Sequence, residues 1–561
     1  YRQLFSGTLG YELVHYEAAY PNFLNIAFIH GTFRRPALPE PEELQRMGFA
    51  DIELNFGFAD ESFSVYDHPL VLILKNSVKL DTETLEKLLS GNLPDKTHEL
   101  PYAKTALMLS SKDVLRQQSG GTWTDIVKQD SWTNRFPVVA WLILIQVLGL
   151  LALPITFYIF RPLVDRGYLF SKLLGVFLVC LFVWLLASLK LLAFSGTSIS
   201  MSILILTVVS VITAIRLKEE LQRFVKNQWS LIIIAEFIFL AAFASFILIR
   251  MANPDLWHPI RGGEKPMDMA YLNAVLRSSF MPPYDPWFGG GYLNYYYWGQ
   301  FIVANLIKST GINPNIAFNL AIPTFFALTV SAVFTIVFNL VEGSRRALNE
   351  RVLITNKFVA ARKKINPGSV MAGMVAALFA AVIGNLDGLI QMIEGVWRIV
   401  FLDLPFGQFD FWRSSRMMPP DPPGFEINEF PFFTFLFADL HAHMMVIPMS
   451  LMTLALSYAT IISAPKFNSL QRSSKIETLT RLSILGISVG VLRLINAWDF
   501  PTYLLLSILS IYVYEYFYHG GLSVTTLLRT IWKSVFVFGI GYIIFLPYHI
   551  NYETFFMIRN I

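Results

Sequence analysis

The sequence predicts a polytopic α-helical membrane protein with about ten spans, preceded by a small soluble domain. Of its 561 residues, 54% are hydrophobic and only 15% are charged. Many of its uncharged apolar runs reach the roughly 20 residues that a helix needs to cross a bilayer. The first 132 residues instead mix charged residues with short alternating patches, as soluble domains do.

Residues 1–132 are expected to form a soluble α/β or α+β domain. Ile52–Phe56 alternates in polarity, Leu70–Leu74 is rich in β-formers, and Leu80–Leu89 is typical of an amphipathic helix. The chain starts without methionine and stops soon after an apolar run, so we expect a fragment. Residues 1–132 would then end a preceding module, and the membrane domain at 133–561 would be truncated at its C-terminus.

Ten apolar runs are predicted to span the membrane. They are Phe136–Phe160, Tyr168–Phe194, Ile199–Ile215, Trp229–Ile249, Pro314–Val341, Val370–Ile390, Phe435–Ile462, Leu482–Trp498, Tyr503–Phe517 and Ile531–Pro547.

Basic residues in the loops between these runs set the orientation, because Lys and Arg favour the cytoplasmic side. The basic loops all fall on the cytoplasmic side only if Tyr292–Ile307 does not cross the membrane. We therefore expect an interfacial or re-entrant helix there. Residues 295–298 would then lie at headgroup level. This orientation places residues 1–135 and all motif-rich loops on the extracytoplasmic side.

The net charge of +4 arises from the basic residues of the loops between spans, so it indicates no nucleic-acid partner. The single cysteine, Cys180, excludes an intrachain disulfide.

Two acids, Glu264 and Asp268, lie four residues apart in the most polar stretch between spans. Polar residues held between spans are functional candidates. If a helix covers Pro266–Ser279, Asp268 lies near its N-terminus, where a carboxylate is stabilised by the helix dipole. Asp268 is therefore a candidate general base or metal ligand, or else a helix cap.

Asp439, His441 and His443 form a second cluster, just before an uncharged run. Carboxylate and imidazole are suitable ligands for a divalent metal. We expect Mn²⁺ or Mg²⁺ in preference to Zn²⁺, and no other cofactor. The alternatives are a phosphate-binding role and an interfacial hydrogen-bonded cluster.

Arg413 and Arg416 have a spacing that suits a phosphate or pyrophosphate clamp, and headgroup snorkelling is the alternative. Asp499 is expected to neutralise Arg493, while the neighbouring Trp498 could stack on a sugar. Glu236, inside the fourth span, is either a structural acid or part of a proton path.

Three motifs carry a resemblance to a known family. They are EKPMD at 264–268, PYDPW at 283–287 and GGGYLNYYY at 289–297, and the stretch from Glu429 to His443 matches as well. Over residues 130–555 the chain resembles the YYY membrane proteins of bacteria and archaea, a DUF2298-type family of unassigned function. That family is similar to the GT-C glycosyltransferases.

The resemblance implies a GT-C-like fold and transfer of a sugar from a polyprenyl phosphate outside the membrane. An acid in the first large outer loop would deprotonate the acceptor, and Asp268 and Glu264 both fit. Arg413 and Arg416 would hold the donor phosphate, with or without a metal at Asp439, His441 and His443. The other expected substrate contacts are Tyr295, Tyr296, Tyr297, Trp298, Glu429, Trp498 and Asp499.

The glycines at 289–291 precede tyrosines rather than follow a strand, so they predict no nucleotide cradle. The expected partners are membrane lipids, a polyprenyl-phosphate sugar and an acceptor that the sequence does not identify. A transporter or flippase for a lipid-linked or polar substrate, and a non-catalytic envelope scaffold, are the alternative functions.

Overall fold

A computed structural model describes residues 2–18, 20, 22–23, 25–29, 52–55, 70–90, 107–118, 126–256, 263–355, 365–407, 410, 413–416, 429–465 and 474–552. The chain divides into two compact units. One comprises Tyr1–Thr105 with Asp255–Gly263, and the other comprises Ala106–Pro254 with Glu264–Ile561.

The first unit contains two small sheets. Its elements are α1 (Arg2–Phe5), β1 (Tyr11–Ala18), β2 (Asn22–Phe23), β3 (Ile26–Ile29), β4 (Ile52–Asn55), β5 (Leu70–Asn76) and α2 (Thr82–Ser90). Strand β1 pairs antiparallel with β5, and β3 pairs antiparallel with β2 and parallel with β4. The Asp81 carboxylate caps α2 by accepting a 2.7 Å hydrogen bond from the Thr84 amide. The predicted strand at Leu70–Leu74 and the predicted helix at Leu80–Leu89 are confirmed.

The second unit is helical. Its helices are α3 (Ser111–Gln118), α4 (Trp132–Arg135), α5 (Pro137–Ile159), α6 (Phe170–Ser188), α7 (Gly196–Arg216), α8 (Lys218–Ala252), α9 (Lys265–Arg277), α10 (Trp298–Thr310), α11 (Pro314–Thr355), α12 (Pro367–Ala381), α13 (Asp387–Leu402), α14 (Pro431–Phe437), α15 (Ala442–Met445), α16 (Ile447–Ile462), α17 (Lys475–Ile495), α18 (Asp499–His519), α19 (Val524–Ile544) and α20 (Leu546–Asn551), with a 3-10 turn at Arg413–Ser415.

Eight stretches of the described residues are long and apolar enough to cross a membrane. They are α5, α6, α7, α8, residues Pro314–Leu348 of α11, residues 442–462, α17 and α19. Each overlaps one of the predicted spans, so the prediction of a multi-pass membrane protein is confirmed.

Two of the ten predicted spans are not among these eight. Helix α12 ends at Ala381 after 15 residues, a length of about 22 Å, which is less than the roughly 30 Å of a bilayer core. The backbone leaves the helical conformation at the C-cap residue Val382, which has a φ of −121°. Helix α18 has 21 residues, but its tyrosines and serines and Glu515 lower its hydropathy.

Helix α10 covers the second part of Tyr292–Ile307, where an interfacial or re-entrant helix was expected. Its 13 residues measure about 20 Å, too short to cross a bilayer. It contacts α5, α6, α7, α9, α11 and α17, and all residues from Trp298 to Ile307 are buried. Tyr297 is 2% exposed and Trp298 is 0% exposed. This burial differs from the expected headgroup position, which requires exposed rings.

Candidate functional site

The start of α9 positions the first two candidate acids. Pro266 occupies the first turn, where its missing N–H costs no hydrogen bond. Glu264 precedes the helix, and its carbonyl accepts a 2.9 Å hydrogen bond from the Asp268 amide. Neither acid caps the helix, because Glu264 forms no side-chain cap and both carboxylate oxygens of Asp268 lack a hydrogen-bond partner.

The second cluster lies in a break between two helices. Ala438 ends α14 in the left-handed conformation, with a φ of 64°, and His441 is extended ahead of α15. The Gln300 side chain of α10 donates a 3.1 Å hydrogen bond to the Leu440 carbonyl. An added Cβ at Gly299 would lie 2.4 Å from Met445, so glycine is required for this close approach. These contacts hold Asp439, His441 and His443 against α10.

Four side chains from three segments form a continuous acid–histidine row: Glu264, His441, His443 and Glu429. The Oε2 atom of Glu264 lies 2.7 Å from His441 Nε2. The Nδ1 atoms of His441 and His443 are 2.6 Å apart, and His443 Nε2 lies 2.9 Å from Glu429 Oε2. The side chain of Glu264 is 54% exposed, so the row is accessible at this end.

The acid–histidine row needs three protons, because each of its three contacts needs one between its two heavy atoms. Two neutral histidines supply two protons. With both acids ionised, one histidine is therefore an imidazolium. The pKa of His441 is lowered by burial and by the charge of His443. The pKa of Glu429 is lowered by its hydrogen bond with His443. The positive charge thus lies at His443, and His441 is neutral.

Two further acids lie buried behind the row. Asp268 is 0% exposed and Asp439 is 6% exposed. Burial, together with the charges of Asp439 and Glu264, raises the pKa of Asp268 well above its usual value. Burial raises the pKa of Asp439 to about 6, although the Glu264 amide and the Lys265 charge oppose the shift. Burial and the neighbouring negative charges thus favour the neutral form of Asp268.

The predicted metal ligands Asp439, His441 and His443 make contacts within the protein. No three His, Cys, Asp or Glu side chains in the described part of the chain are grouped as metal ligands. The two histidines instead face each other through Nδ1, and Asp439 Oδ2 accepts a 3.4 Å hydrogen bond from the Glu264 amide. The donor atoms of this cluster thus point at one another rather than at a common centre.

Aromatic rings border the exposed end of the acid–histidine row. The Tyr295 hydroxyl lies 3.3 Å from His441 Nε2. The Tyr295 ring packs 5.0 Å from Tyr271, which packs edge-on 5.2 Å from Trp287. Tyr271 follows Asp268 by three residues on α9, so helical spacing places both on one face. Trp287 belongs to the PYDPW motif but was not predicted as a site residue. Tyr271 was not predicted either, although its spacing from Asp268 is a signal that could have identified it.

The remaining aromatic residues that were predicted to contact substrate differ in how deeply they are buried. Tyr296 is partly exposed and packs 4.7 Å from Tyr295. Tyr297 is buried and accepts a 3.2 Å hydrogen bond from Trp184 Nε1. Trp298 packs 5.6 Å from Phe177 inside the helical unit. Tyr297 and Trp298 therefore support the fold around α10 rather than an open surface.

The two arginines make contacts away from the acid–histidine row. Arg413 Nε lies 2.9 Å from the buried Asp387 carboxylate and Arg413 Nη1 lies 3.2 Å from Glu394, both on α13. Arg416 Nη1 donates to the carbonyl and hydroxyl of Ser415 at 3.0 and 2.6 Å. The pairing of Arg413 with two acids could not be predicted from the sequence, because the partners lie 26 and 19 residues earlier in the chain.

At the start of α18, Trp498 is 83% exposed. Asp499 accepts a 2.7 Å hydrogen bond from Asn496 and lies within electrostatic reach of His443. Among the described residues it does not pair with Arg493, so the expected neutralisation is not formed. Asp499 is thus the one residue of this motif that approaches the acid–histidine row.

A family model described as "Uncharacterized membrane protein (DUF2298)" matches residues 178–559. This range includes all four residues of the acid–histidine row, both buried acids and the bordering aromatic residues. No curated protein and no solved structure matches the chain.

Proposed function

Since the chain belongs to the DUF2298 family of membrane proteins, we propose that it is a glycosyltransferase similar to the GT-C enzymes. It would transfer a sugar from a polyprenyl-phosphate donor to an acceptor hydroxyl on the extracytoplasmic side. The observation that carries the proposal is the Glu264–His441 pair, 2.7 Å apart, at the exposed end of the acid–histidine row. A carboxylate held by an imidazole and open on its other side suits a general base.

The geometry favours Glu264 over Asp268 as this base. Asp268 is fully buried, so an acceptor hydroxyl does not reach it in this structure, and its raised pKa favours the protonated form. A protonated acid cannot accept the proton of an acceptor hydroxyl. Glu264 is more than half exposed and uses Oε2 for His441. Among the described residues its Oε1 has no partner, so this oxygen is available to a hydroxyl.

The chemical step balances without a metal. The acceptor hydroxyl gives its proton to Glu264 Oε1, and its oxygen attacks the anomeric carbon of the sugar. The bond from that carbon to the phosphate oxygen breaks, and polyprenyl phosphate leaves with the bonding electrons. The imidazolium at His443 sits two contacts from Glu264 and stabilises the negative charge of the row until the proton arrives.

The bordering aromatic residues support a sugar as the transferred group. Trp287 is 61% exposed and packs against Tyr271, which in turn packs against Tyr295. The Tyr295 hydroxyl contacts His441. Trp and Tyr present an apolar face with a polar edge, and sugar rings have matching C–H faces and hydroxyls. A sugar against these rings would lie beside the proposed base.

For the donor phosphate, Arg416 is the proposed contact. Arg413 would first have to leave Asp387 and Glu394, both of which hold it at hydrogen-bond distance. Leaving a buried carboxylate unpaired is unfavourable. Arg413 is therefore proposed to position the turn that carries Arg416, and to contact the phosphate only if that pairing opens.

Donor cleavage by the full chain in lipid nanodiscs tests the proposal. Polyprenyl phosphates carrying radiolabelled sugars are supplied with a membrane extract as the acceptor source, and released label is measured. We expect Glu264→Gln to lower release on the order of 100-fold or more, as loss of a general base does. Asp268→Asn, which keeps a neutral group in place, should reduce release far less.

Glu219→Gln is the matched control, because Glu219 is 89% exposed on α8 and lies outside the site. It should release sugar like the wild type. Chelation followed by Mn²⁺ or Mg²⁺ addition tests in the same assay whether sugar release depends on a metal. Equal release by Glu264→Gln and wild type, or no release from any donor by folded wild type, would contradict the proposal.

A further inference from the structure

Helix α13 has a narrow polar stripe and a wide apolar face. Its polar side chains are Asp387, Gln391, Glu394 and Arg398, at spacings of four, three and four residues. This spacing places all four on one side of a helix. The rest of the surface is apolar.

The polar stripe is covered by the segment that follows the helix. Gln391 exchanges two hydrogen bonds with the Asp410 backbone, at 2.8 and 2.9 Å. Arg398 donates a 3.0 Å hydrogen bond to the Pro405 carbonyl, and Arg413 pairs with both Asp387 and Glu394. The loop thus provides hydrogen-bond and ion-pair partners for the polar stripe. These contacts fix the rotation of the helix about its axis.

The apolar face is exposed along the whole helix. Phe401 is 64% exposed and Trp397 is 54% exposed. The other exposed apolar residues are Leu389, Ile390, Met392, Ile393, Val396, Ile399, Val400 and Leu402. No part of the described chain covers this face.

We propose that α13 lies in the plane of the membrane, with this face embedded among lipid acyl chains. Its 16 residues measure about 24 Å, too short to cross a bilayer. An amphipathic helix with a wide apolar face and an aromatic residue near its end is suited to the membrane interface.

The neighbouring helix indicates lipid rather than a protein partner. Helix α12 ends only five residues before α13, and its Met371 and Phe379 are 59% and 63% exposed. These values match those of lipid-facing residues on the α8 span, where Phe237 is 68% exposed. The apolar face of α13 therefore follows, along the chain, a helix whose apolar side chains are exposed to the same degree as those of a candidate span. This inference does not depend on glycosyl transfer.

Spin labels at single cysteines test the proposal in the full chain reconstituted in nanodiscs. In a Cys180→Ala background, Val396→Cys and Val400→Cys place labels on the apolar face. Phe237→Cys on the α8 span is the lipid reference, and Glu219→Cys is the aqueous reference. Collision with oxygen, which concentrates in lipid, is compared with collision with a water-soluble nickel chelate.

We expect both α13 labels to collide with oxygen and avoid nickel, as the Phe237→Cys label should. Nickel accessibility equal to that of Glu219→Cys would overturn the proposal by placing the face in water. Low accessibility to both reagents would also overturn it, because the face would then be covered by protein. Using two positions, each compared with wild type for thermal stability, separates this outcome from misfolding of one variant.

Discussion

Asp439 illustrates how burial sets the charge of a single residue in the candidate site. Its carboxylate is 6% exposed and accepts one hydrogen bond, from the Glu264 amide. The pKa rises from 3.8 to about 6 because burial outweighs this hydrogen bond and the nearby Lys265 charge. In the folded protein the carboxyl thus keeps its proton to higher pH than in the unfolded chain.

This shift predicts a pH-dependent gain in stability for Asp439→Asn. A group with a raised folded pKa loses stability as pH rises from its unfolded pKa to its folded pKa, here from 3.8 to about 6. A pKa change of this size corresponds to about 3 kcal/mol. The difference in unfolding free energy between variant and wild type should therefore grow by about 3 kcal/mol between pH 4 and pH 7.

Thermal unfolding in detergent across this pH range measures the effect. Glu219→Gln, which changes an exposed acid, should give a curve parallel to that of the wild type. A curve for Asp439→Asn that is likewise parallel would show that Asp439 is ionised without penalty in the folded protein.

At the scale of elements, α17 and α19 approach each other through glycines. A Cβ added at Gly490 would lie 2.6 Å from the Gly541 carbonyl oxygen, and one at Gly486 would lie 2.5 Å from the Val537 carbonyl oxygen. Small residues at a four-residue spacing allow membrane helices to pack backbone to backbone. The contact therefore depends on the absence of side chains at these positions.

We predict that Gly490→Ala destabilises the protein by about 1–3 kcal/mol, the usual cost of overpacking a close contact. Gly539→Ala is the matched control on α19, since its Cβ would meet nothing within 4 Å. The control should be neutral or stabilising by up to about 1 kcal/mol, because alanine favours helix over glycine. Equal melting temperatures for the two variants would contradict the proposed close packing.

The helices also show which structural features a sequence can predict and which it cannot. Apolar runs predicted the long spans, because length and hydropathy are local properties. The breaks within the helices were not predicted. The predicted span at Phe435–Ile462 is interrupted at Ala438, and the helix in the predicted span Val370–Ile390 ends early, at Ala381. The left-handed conformation of Ala438 ends α14, and the residue type alanine does not predict that conformation.

For the whole molecule, loop charges predicted that the Glu264 and Asp439 motifs lie on one side of the membrane, and the structure brings them into contact. The exact pairs could not be predicted. Asp439, His441 and His443 suggested a shared metal, but the histidines instead bridge Glu264 and Glu429. Such pairing depends on how α9 and α14 approach α10, and neither spacing nor composition encodes that approach.

At the scale of the whole molecule, the charged residues inside the spans help to distinguish an enzyme from a transporter. Glu236 of α8 lies 2.5 Å from Lys172 of α6. It also accepts hydrogen bonds from Tyr168 and Gln146, at 2.9 and 3.0 Å. A transporter with a proton path through Glu236 would need this acid to exchange its proton. These contacts instead indicate a structural acid that links α8 to both α5 and α6.

We therefore predict that Lys172→Met alone lowers stability by about 3–5 kcal/mol, because it leaves a charged acid unpaired within the span. The double variant Lys172→Met/Glu236→Leu should recover most of that loss, since apolar replacement of a buried pair is often close to neutral. Thermal unfolding measures both effects. Sugar release and proton uptake into proteoliposomes should then match the wild type for the double variant. A stable double variant that loses either function would assign Glu236 to a proton path and favour transport over glycosyl transfer.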